Sequence, residues 1–406
     1  MKTMKKSAVH FGSGSIGRGF IGKLLHDSGY QVTMLDVDDS IISSINAIGG
    51  YDLYLINHNY QKVFIDQVSA INSLKDTQGA IDAIKDADII TTAVLATNLE
   101  KIAPILSKGL KARLQLRKAK INILACENLE NNSGVLRKKV LALGEIKEND
   151  LESIAAFPDT EVDRLVLKSE RNGEPAIDIG DEFELVVDKT KLVNPGVEPI
   201  KNAFYTTDIH KYFERKLFII NTGHCWAGYV GHVYGYKVIQ DVFANKPLLR
   251  ATREAMKESA VLIEKKYGFS KDDLDDYISF ALNRFMTPGV VDQIARVSRN
   301  PIQKIGPQER LVQPVQQLAD RNLPYQQLVK GISAALLFDL DTDQQAIELQ
   351  HYIEKNGVKQ TIVHFTGIAE ESVLFSQIME HYNRFKQIKE NERTEGGGQI
   401  VAIIFQ

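Results

Sequence analysis

The feature that most constrains this chain is a strand, a glycine-rich turn and a helix near the N-terminus. Residues Ser7 to Phe11 form a short apolar run typical of a buried strand, and the motif G-x-G-x-x-G follows at Gly12, Gly14 and Gly17. A helical stretch begins directly after the glycines. Backbone N–H groups and the positive end of that helix would then face a pyrophosphate. The sequence therefore predicts a dinucleotide site at this turn.

An acidic residue at the end of the next strand supports this interpretation. The strand QVTMLDVD ends at Asp36, 19 residues after Gly17. A carboxylate at this place can accept a hydrogen bond from an adenosine ribose, and it repels a 2′-phosphate. Val37, Asp38 and Asp39 supply no arginine, so the predicted cofactor is NAD rather than NADP. The alternative is a glycine turn followed by an unrelated acid, with no ligand.

Strands and helices continue to alternate in the first half of the chain. A strand at 87–94, a helix at 99–110 and a strand at 121–128 follow. This alternation predicts an α/β fold with a Rossmann-like, doubly wound and mostly parallel sheet, whose ligands lie beyond the carboxyl ends of the strands. Residues near the carboxyl ends of these strands should therefore lie at the ligand site. The predicted cofactor-binding residues are Gly12, Gly14, Ser15, Ile16, Gly17, Asp36, Thr92, Ala93 and Val94, and Glu127 and Asn128 should face the same crevice.

The pattern changes after residue 150. Residues 163–190 read as antiparallel strands around a tight turn at Asn172 and Gly173, which would extend the sheet. From about residue 200 the pattern is mainly helical, with a Gly268 stop and a capping box that begins at Ser270. The predicted domains are a Rossmann-like domain at 1–198, a mainly α-helical domain at 199–388, and a glycine-rich tail with a possible strand at 389–406.

Composition excludes several classes of partner. The net charge of -3 gives no basic footprint for nucleic acid, and the two cysteines are too few for a disulfide framework. We therefore predict no nucleic-acid partner. No uninterrupted apolar run is long enough to cross a bilayer, so we expect a cytoplasmic protein with no membrane partner. Nothing in the sequence requires a large subunit interface, which predicts a monomer or a weak homodimer.

The segment KLFIINTGH in the second half places three polar residues within an apolar run. They are Lys216, Asn221 and His224. In an ideal helix, which advances ~100° per residue, these residues point at about 0°, 140° and 80°, so that all three can face one pocket. In a strand, Asn221 would lie on the opposite face from the other two residues. The helical alternative therefore predicts a catalytic group.

The chemistry of these three residue types suits the oxidation of an alcohol. Burial disfavours an ammonium, so an apolar environment lowers the pKa of Lys216 toward the range of a general base. The N–H groups of an amide and an imidazole can stabilise the oxygen as it changes between alkoxide and carbonyl. A structural alternative remains open for each residue: an extended surface lysine, an asparagine that caps a helix, and a histidine satisfied within the core.

Zinc is the other way to acidify an alcohol. The nearest potential ligands are His224, Cys225 and His232, but no Cys-x-x-Cys pair or established ligand spacing accompanies them. We therefore predict no metal. Cys225 is more typical of a small buried hydrophobic residue.

Several motifs together resemble the polyol-specific long-chain dehydrogenase, or mannitol dehydrogenase, family. They occur in the family's order from about residue 5 to 385: HFGSGSIGRGFIG, TTAV, ACEN, VDR, VDKT, KLFIINTGH, RVSRNP and LPYQQLVKGISAA. The signature K-x-x-x-x-N-x-x-H is more specific than the glycine motif. The resemblance implies NAD-dependent, metal-independent hydride transfer between mannitol 1-phosphate and fructose 6-phosphate, with Lys216 as the general base.

The resemblance also implies substrate-binding residues. Asn128 and Asp163 should help to hold the polyol, and Arg296 and Lys304 should approach the sugar or its phosphate. From the residues alone, Arg296, Arg299, Lys304 and Arg310 form the one concentrated basic cluster in an otherwise acidic sequence. Guanidinium groups bind phosphate with two parallel hydrogen bonds, so this cluster could select a phosphorylated polyol. A solvated cationic helix face is the alternative.

Two other functions remain open from the sequence. The same chemistry could act on free mannitol or on a sugar acid such as fructuronate or tagaturonate, since Gln303 stands where close relatives tend to have a basic residue. A non-catalytic NAD-binding module would keep the glycines and Asp36 but would not need Lys216, Asn221 and His224.

Overall fold

The computed structural model describes residues 6–287 and 289–395, so the possible strand in the C-terminal tail lies outside the described residues. The chain divides into two compact units, Met1–Tyr212 and Phe213–Gln406. This division falls within the helix His210–Arg215, later in the chain than the domain boundary at 198 that the sequence suggests.

The first unit contains two β-sheets. Its strands are β1 (Lys6–Phe11), β2 (Tyr30–Asp36), β3 (Tyr51–Leu55), β4 (Gln61–Ile65), β5 (Val68–Asn72), β6 (Ile89–Thr92), β7 (Ile121–Ala125), β8 (Ala155–Ala156), β9 (Thr160–Arg171), β10 (Glu174–Asp188) and β11 (Phe204–Thr206). The larger sheet has the order β5-β2-β1-β6-β7-β8. All of its pairings are parallel, which confirms the predicted doubly wound sheet.

The predicted antiparallel strands β9 and β10 are present, but they belong to a second sheet and do not extend the parallel one. This five-stranded sheet has the order β11-β10-β3-β4, with β9 also paired to β10. Strands β9 and β10 are antiparallel and meet at the predicted turn, where Asn172 and Gly173 have φ values of 54° and 82°. Two consecutive residues with positive φ are the mark of a tight hairpin turn. The β3–β4 hairpin, which the sequence did not reveal, supplies the rest of the sheet.

Helices connect the parallel strands of the first unit. After a π-helix at Gly17–Gly22, the α-helices are α1 (Lys23–Asp27), α2 (Asp39–Ile48), α3 (Thr77–Asp86), α4 (Leu99–Gln115), α5 (Asn132–Ala142) and α6 (Glu148–Ile154). Asp38 and Asp76 cap α2 and α3 by accepting backbone N–H groups of the first turn. Each face of the parallel sheet packs against its own apolar core, one with Phe20 and Leu24 and the other with Leu106 and Leu110.

The second unit is mainly helical, as predicted. The helix α7 (His210–Arg215) leads into it, followed by a π-helix (Lys216–Asn221) and then α8 (Thr222–Val233), α9 (Ile239–Ala244), α10 (Lys246–Tyr267), α11 (Lys271–Phe285), α12 (Ile294–Val297), α13 (Pro301–Lys304), α14 (Val312–Asp320), α15 (Gln326–Ala335), α16 (Gln344–Thr366) and α17 (Val373–Glu395).

The caps predicted for α10 and α11 are present. Gly268 adopts a left-handed conformation at φ 71° after α10, and the Ser270 hydroxyl accepts the backbone N–H of Asp273 at the start of α11. Helix α8 is buried along nearly its whole length, with Trp226 and Tyr229 fully inaccessible to solvent. Helix α8 is therefore the central element of the second unit. Among the described residues, no helix is both long and apolar enough to span a membrane.

Candidate active site

The glycine turn in the first unit leaves room for a ligand. Strand β1 ends at Phe11, and Gly12 turns the chain with φ at 100°. A Cβ atom on Gly12 would lie 2.6 Å from the Ala93 carbonyl oxygen, and one on Gly17 would lie 1.8 Å from the Gly12 oxygen. These two glycines are required by close backbone packing. A Cβ on Gly14 would meet no atom within 4 Å, so Gly14 borders open space.

Two serine hydroxyls in the same turn fit an anionic ligand. The Oγ atoms of Ser13 and Ser15 are buried and have no hydrogen-bond partner among the described residues. A buried hydroxyl without a partner carries a desolvation cost that a phosphate oxygen would remove. Ile16, beside them, is 39% exposed. An open space at Gly14 with two unsatisfied hydroxyls therefore fits the pyrophosphate of NAD.

Asp36 is part of the turn as well as a candidate ribose ligand. One carboxylate oxygen accepts the Ser13 backbone N–H, and the other accepts those of Val37 at 2.7 Å and Asp38 at 3.2 Å. A carboxylate oxygen can accept two hydrogen bonds, so Oδ2, which accepts one, can accept another from a ribose hydroxyl. Arg18 is half-buried, and its Nε donates to the Ser13 carbonyl at 2.7 Å.

The turn after β6 is held by a glutamate that follows the neighbouring strand β7. Ala93 N donates to the Phe11 carbonyl at 2.8 Å, which fixes this turn beside the glycines. The Glu127 carboxylate accepts the Thr92 hydroxyl at 2.8 Å and the Val94 N–H at 2.9 Å. Glu127 is buried, and burial raises the pKa of its carboxyl. Glu127 thus binds the protein turn, whereas the sequence suggested that it faces a ligand crevice.

Residues 216 to 224 in the second unit are helical, as the catalytic hypothesis requires, but the first turn is wider than expected. Lys216–Asn221 is a π-helix that continues directly into α8. In a π-helix the hydrogen bonds join residues five apart, and such turns are frequent at functional sites. The wider turn brings Lys216 and Asn221 onto one side, and Asn221 and His224 are neighbours three residues apart in the helix that follows.

A threonine hydroxyl accompanies this π-turn. Thr222 Oγ1 lies 3.0 Å from the Leu217 carbonyl oxygen and 2.6 Å from that of Arg310. A hydroxyl has one proton, so it donates to one of these two carbonyls at a time, and the Thr222 backbone N–H also donates to the Leu217 carbonyl. No sequence pattern predicts this contact, because a threonine that follows an asparagine in an apolar run is equally compatible with a regular helix.

The three polar residues differ in burial. Lys216 is buried, with 7% of its surface exposed, beside the fully buried Phe218 and Ile219. Asn221 and His224 are half-buried. Among the described residues, none hydrogen-bonds the Asn221 amide, so its donor and acceptor groups remain available to a ligand. Lys216 is thus buried, whereas the Asn221 amide and the His224 imidazole are partly accessible.

His224 is held by residues outside the predicted motif. Its ring stacks on Phe285 with centroids 4.2 Å apart, and its Nε2 lies 3.0 Å from Asp292 Oδ2. Burial lowers the pKa of His224, although the Asp292 carboxylate opposes this shift. Asp292 also binds Arg296 through two hydrogen bonds of 2.7 Å each. Asp292 was missed because no spacing rule connects it to the KLFIINTGH segment.

The basic cluster is less available than its composition suggests. Arg296 is paired with Asp292, and Arg310 Nε lies 3.2 Å from Glu309 Oε2. Lys304 is buried, and its amine donates to the carbonyl oxygens of Val297 and Arg299 at 2.6 Å each. Burial lowers the pKa of Lys304 to about 8.

Arg299 differs from the other members of the cluster. Its side chain is exposed and makes no ion pair with another described residue. One N–H of Lys304 also remains for a ligand, since an ammonium has three donors. The four basic side chains therefore differ in their availability to a ligand, and Arg299 is exposed without an ion pair to another described residue.

The remaining predicted substrate residues lie in the first unit. Asn128 is exposed in the segment that follows β7. Asp163 lies in β9, opposite Glu184 of β10. Lys216, Asn221 and His224 belong to the second unit. Each unit thus contributes part of the predicted group.

The three side chains considered as zinc ligands have separate partners. His224 contacts Asp292, the Cys225 thiol donates to the Thr222 carbonyl at 3.3 Å, and His232 Nε2 lies 2.8 Å from Asp339 Oδ1. Within 6–287 and 289–395, no three histidine, cysteine or acidic side chains are grouped as metal ligands would be.

Sequence comparisons match both units to one family. The model of the mannitol dehydrogenase Rossmann domain matches residues 6–199, and that of the mannitol dehydrogenase C-terminal domain matches residues 208–388. A mannitol-1-phosphate 5-dehydrogenase of Oceanobacillus iheyensis is 37% identical over 378 residues, covering 92% of this chain and 97% of the relative. The enzyme of the same name from Bacillus subtilis is 35% identical over 379 residues, covering 93% and 100%.

Solved structures show the same fold. Mannitol 2-dehydrogenase of Pseudomonas fluorescens, in a ternary complex with NAD and D-mannitol, superposes with a TM-score of 0.71 at 16% identity, covering 97% of this chain and 92% of the other. A D-sorbitol dehydrogenase in substrate-free form superposes with a TM-score of 0.79 at 15% identity, covering 95% and 94%. These comparisons confirm the predicted fold class.

Proposed function

Because the chain belongs to the mannitol dehydrogenase family, we propose that it oxidises mannitol 1-phosphate to fructose 6-phosphate with NAD and catalyses the reverse reduction. The relatives that carry the name mannitol-1-phosphate 5-dehydrogenase align over nearly their whole length, which supports this substrate. The reaction centre would be carbon 5 of mannitol 1-phosphate, which is carbon 2 of fructose 6-phosphate.

The proposed chemistry assigns one task to each polar residue of the π-turn segment. NAD, when bound, accepts the hydride from the alcohol carbon. Lys216, which is buried, takes the hydroxyl proton as a general base. The amide N–H of Asn221 donates to the same oxygen as negative charge develops there. His224 contacts a substrate hydroxyl.

The observation that carries this proposal is the π-turn at Lys216–Asn221. Hydrogen bonds in a π-turn join residues five apart, and this geometry supports Lys216 and Asn221 acting from the same side of the chain, with His224 one turn later. The combination is what alcohol oxidation needs: a base for the proton and a donor for the oxygen.

We propose that the substrate's other groups bind to the remaining predicted residues. Asn128 and Asp163 bind hydroxyl groups of the polyol. Arg299, the third N–H of Lys304 and the unused N–H groups of Arg296 bind the phosphate. Arg299 is the best placed of these residues, because its side chain is exposed and has no acidic partner among the described residues.

The substrate is tested by comparing rates. NADH oxidation is followed by absorbance with fructose 6-phosphate, fructose, fructuronate and tagaturonate as alternative substrates. The proposal predicts the highest kcat/KM for fructose 6-phosphate, and Arg299→Ala should raise the KM for that substrate more than for fructose. Arg321→Ala, which changes another exposed arginine, should leave both KM values unchanged. A preference for a sugar acid would replace the proposed substrate, and no activity on any of the four would favour a non-catalytic NAD-binding module.

Two broader proposals concern the setting of the reaction. We propose a monomer or a weak homodimer, which light scattering would distinguish from a larger assembly. We also propose that the enzyme acts in the reducing cytoplasm, where the two buried, unpaired cysteines stay reduced.

A further inference from the structure

A carboxylate that belongs to no recognised motif joins two of the proposed site residues. Asp292 Oδ2 lies 3.0 Å from His224 Nε2 and 2.7 Å from Arg296 Nη2, and Asp292 Oδ1 lies 2.7 Å from Arg296 Nε. The three residues come from α8, α12 and the segment between α11 and α12. Asp292 therefore connects a proposed catalytic side chain to a proposed phosphate-binding one.

The backbone around Asp292 is fixed. Its N–H donates to Gln240 Oε1 at 2.9 Å, and its carbonyl oxygen accepts the N–H of Ile239 at 2.9 Å. The next residue, Gln293, forms an antiparallel bridge with Val238. These contacts attach Asp292 to the start of α9, so its carboxylate has a defined position relative to α8.

The imidazole of His224 is fixed from two sides. Its face stacks on Phe285 at an interplanar angle of 15°, and Phe285 stacks in turn on Phe243. Its edge meets Asp292 through Nε2. Among the residues that the structure describes, none hydrogen-bonds Nδ1. Nδ1 is therefore the ring nitrogen that remains for a ligand.

The protonation states follow from the partners. Burial alone would raise the pKa of Asp292, but hydrogen bonds from His224 and Arg296 outweigh it and bring the pKa to about 2. An ionised carboxylate can only accept hydrogen bonds, so His224 Nε2 must carry a proton. Burial lowers the pKa of His224, against the opposing effect of Asp292. The ring is thus neutral near pH 7, with its lone pair on Nδ1.

We propose that Asp292 is a positioning residue, which holds His224 in the Nε2–H tautomer so that Nδ1 accepts a hydrogen bond from a substrate hydroxyl. This inference rests on the proposed function, because it takes the ligand to be a polyol. It changes the role expected from the sequence, in which an imidazole N–H donates to the reacting oxygen. Asn221 is then the donor to that oxygen, and His224 orients a hydroxyl.

Arg296 has a defined place in this arrangement. Arg296 donates to both oxygens of the carboxylate, shares Oδ2 with His224, and helps to keep Asp292 ionised. The contact between Asp292 and His224 does not need Arg296, since the two side chains meet directly.

Nitrogen-15 NMR of the whole protein labelled at histidine tests the tautomer directly. A protonated and an unprotonated ring nitrogen have well-separated resonances, and His224→Gln identifies the signals of His224. We expect a protonated Nε2 and an unprotonated Nδ1 at pH 7.5. Asp292→Ala should convert this to an exchanging mixture of tautomers, whereas Arg296→Ala should leave it unchanged. A protonated Nδ1 in the wild-type protein would overturn the inference.

Kinetics provide a second readout. Asp292→Ala should lower kcat/KM for fructose 6-phosphate by about 10- to 100-fold. A loss of this size is typical when a residue that orients another side chain of the site is removed. Added formate should restore part of that rate by occupying the vacated carboxylate position. Unchanged turnover in Asp292→Ala would contradict the positioning role, and if this variant fails to fold, the wild-type NMR result still decides.

The two proposals can fail separately. A wild-type enzyme that reduces fructose 6-phosphate but carries a proton on Nδ1 refutes the role of Asp292 and leaves the proposed function standing. A protein with the expected tautomer that is inactive on every polyol and sugar acid refutes the role of Asp292 toward a polyol together with the proposed function.

Discussion

At the scale of single residues, the three glycines of the nucleotide turn have two different roles. Gly12 and Gly17 are packed against backbone atoms, so a side chain at either position would force the turn apart. Gly14 borders open space. The sequence motif does not distinguish these positions, because all three are simply glycine. The structure separates residues that shape the turn from the one that leaves space for a ligand.

Replacing Gly14 by alanine should therefore weaken cofactor binding without unfolding the protein. The new Cβ meets no protein atom but enters the space assigned to the pyrophosphate. We expect an unchanged melting temperature without cofactor and a dissociation constant for NADH raised about tenfold or more, which corresponds to about 1.4 kcal/mol.

Gly17→Ala is the matched control for that variant. Its Cβ would lie 1.8 Å from the Gly12 carbonyl oxygen, so it should lower the melting temperature even without NADH. Equal NADH affinity of Gly14→Ala and the wild type, measured by fluorescence titration, would show that the space at Gly14 is not a phosphate site.

Residue identities that form a local pattern were the most predictable part of the site. The glycines, Asp36, Lys216, Asn221 and His224 stand at spacings that have a physical meaning in one strand, turn or helix. Asp292 and Glu127 act through long-range contacts with His224 and with the Thr92–Val94 turn. Such contacts depend on how distant segments pack, and a single sequence does not contain that information.

At the scale of secondary structure, the π-turn at Lys216–Asn221 is the element that organises the proposed catalytic residues. A regular α-helix would place Asn221 about 140° from Lys216, as the ~100° advance per residue requires. The widened turn reduces this angle. Helical periodicity predicted a helix in this segment. It did not predict the extra residue in one turn, because the apolar residues here are compatible with both an α-helical and a π-helical turn.

Thr222→Val should disturb this turn specifically. Valine matches the shape of threonine but lacks the hydroxyl that contacts the carbonyl oxygens of Leu217 and Arg310. We expect a loss of about 1–3 kcal/mol in the free energy of unfolding, the cost of leaving a buried polar group unsatisfied. We also expect a lower kcat with little change in NADH affinity.

Thr222→Ser keeps the hydroxyl and provides the control. It should retain most of the wild-type kcat. If Thr222→Val has the stability and the kcat of the wild type, the hydroxyl does not maintain the geometry of the turn.

A contact between Glu258 and the start of helix α15 predicts that the stability of the second unit depends on pH. The Glu258 carboxylate accepts the backbone N–H groups of Gln327 and Leu328 at the start of α15. Burial raises the pKa of Glu258 to about 7, although those N–H groups oppose the shift. Because the folded pKa lies above the unfolded value, the favourable contribution is complete below about pH 4.5 and is lost as the pH rises toward 7.

Glu258→Gln should remove this pH dependence. The amide oxygen of glutamine can accept the same two N–H groups and carries no charge. The variant should therefore become more stable than the wild type by about 1–2 kcal/mol at pH 8 and have similar stability at pH 4.5. Urea unfolding at the two pH values measures this difference, and a constant difference between them would contradict the raised pKa.

At the scale of the whole molecule, the sequence predicted the two kinds of architecture and their order. Alternating strands and helices gave the parallel sheet, and apolar helical periodicity gave the second unit. The second sheet was only partly foreseen, because β3 and β4 are short and β3 pairs with β10, more than a hundred residues away. Pairing over that distance leaves no local pattern.

Net charge and composition were the least reliable predictors of which basic side chains are available to a ligand. Four basic residues in a chain of net charge -3 suggested a single cationic patch. The fold pairs Arg296 with Asp292 and Arg310 with Glu309, and it turns the Lys304 amine onto two carbonyl oxygens. Local acidic partners and buried carbonyl groups thus decide which cations remain for a phosphate, and their positions depend on the tertiary fold.

The central claim is that the Lys216 amine takes the proton of the substrate alcohol, and turnover of Lys216→Ala in the presence of added methylamine tests it most directly. The account predicts that Lys216→Ala binds NADH as the wild type does, loses about 10²- to 10⁴-fold in kcat, and regains part of the rate in proportion to the neutral methylamine. Lys201→Ala, which removes an exposed lysine, should match the wild type. Wild-type turnover in Lys216→Ala would contradict the account.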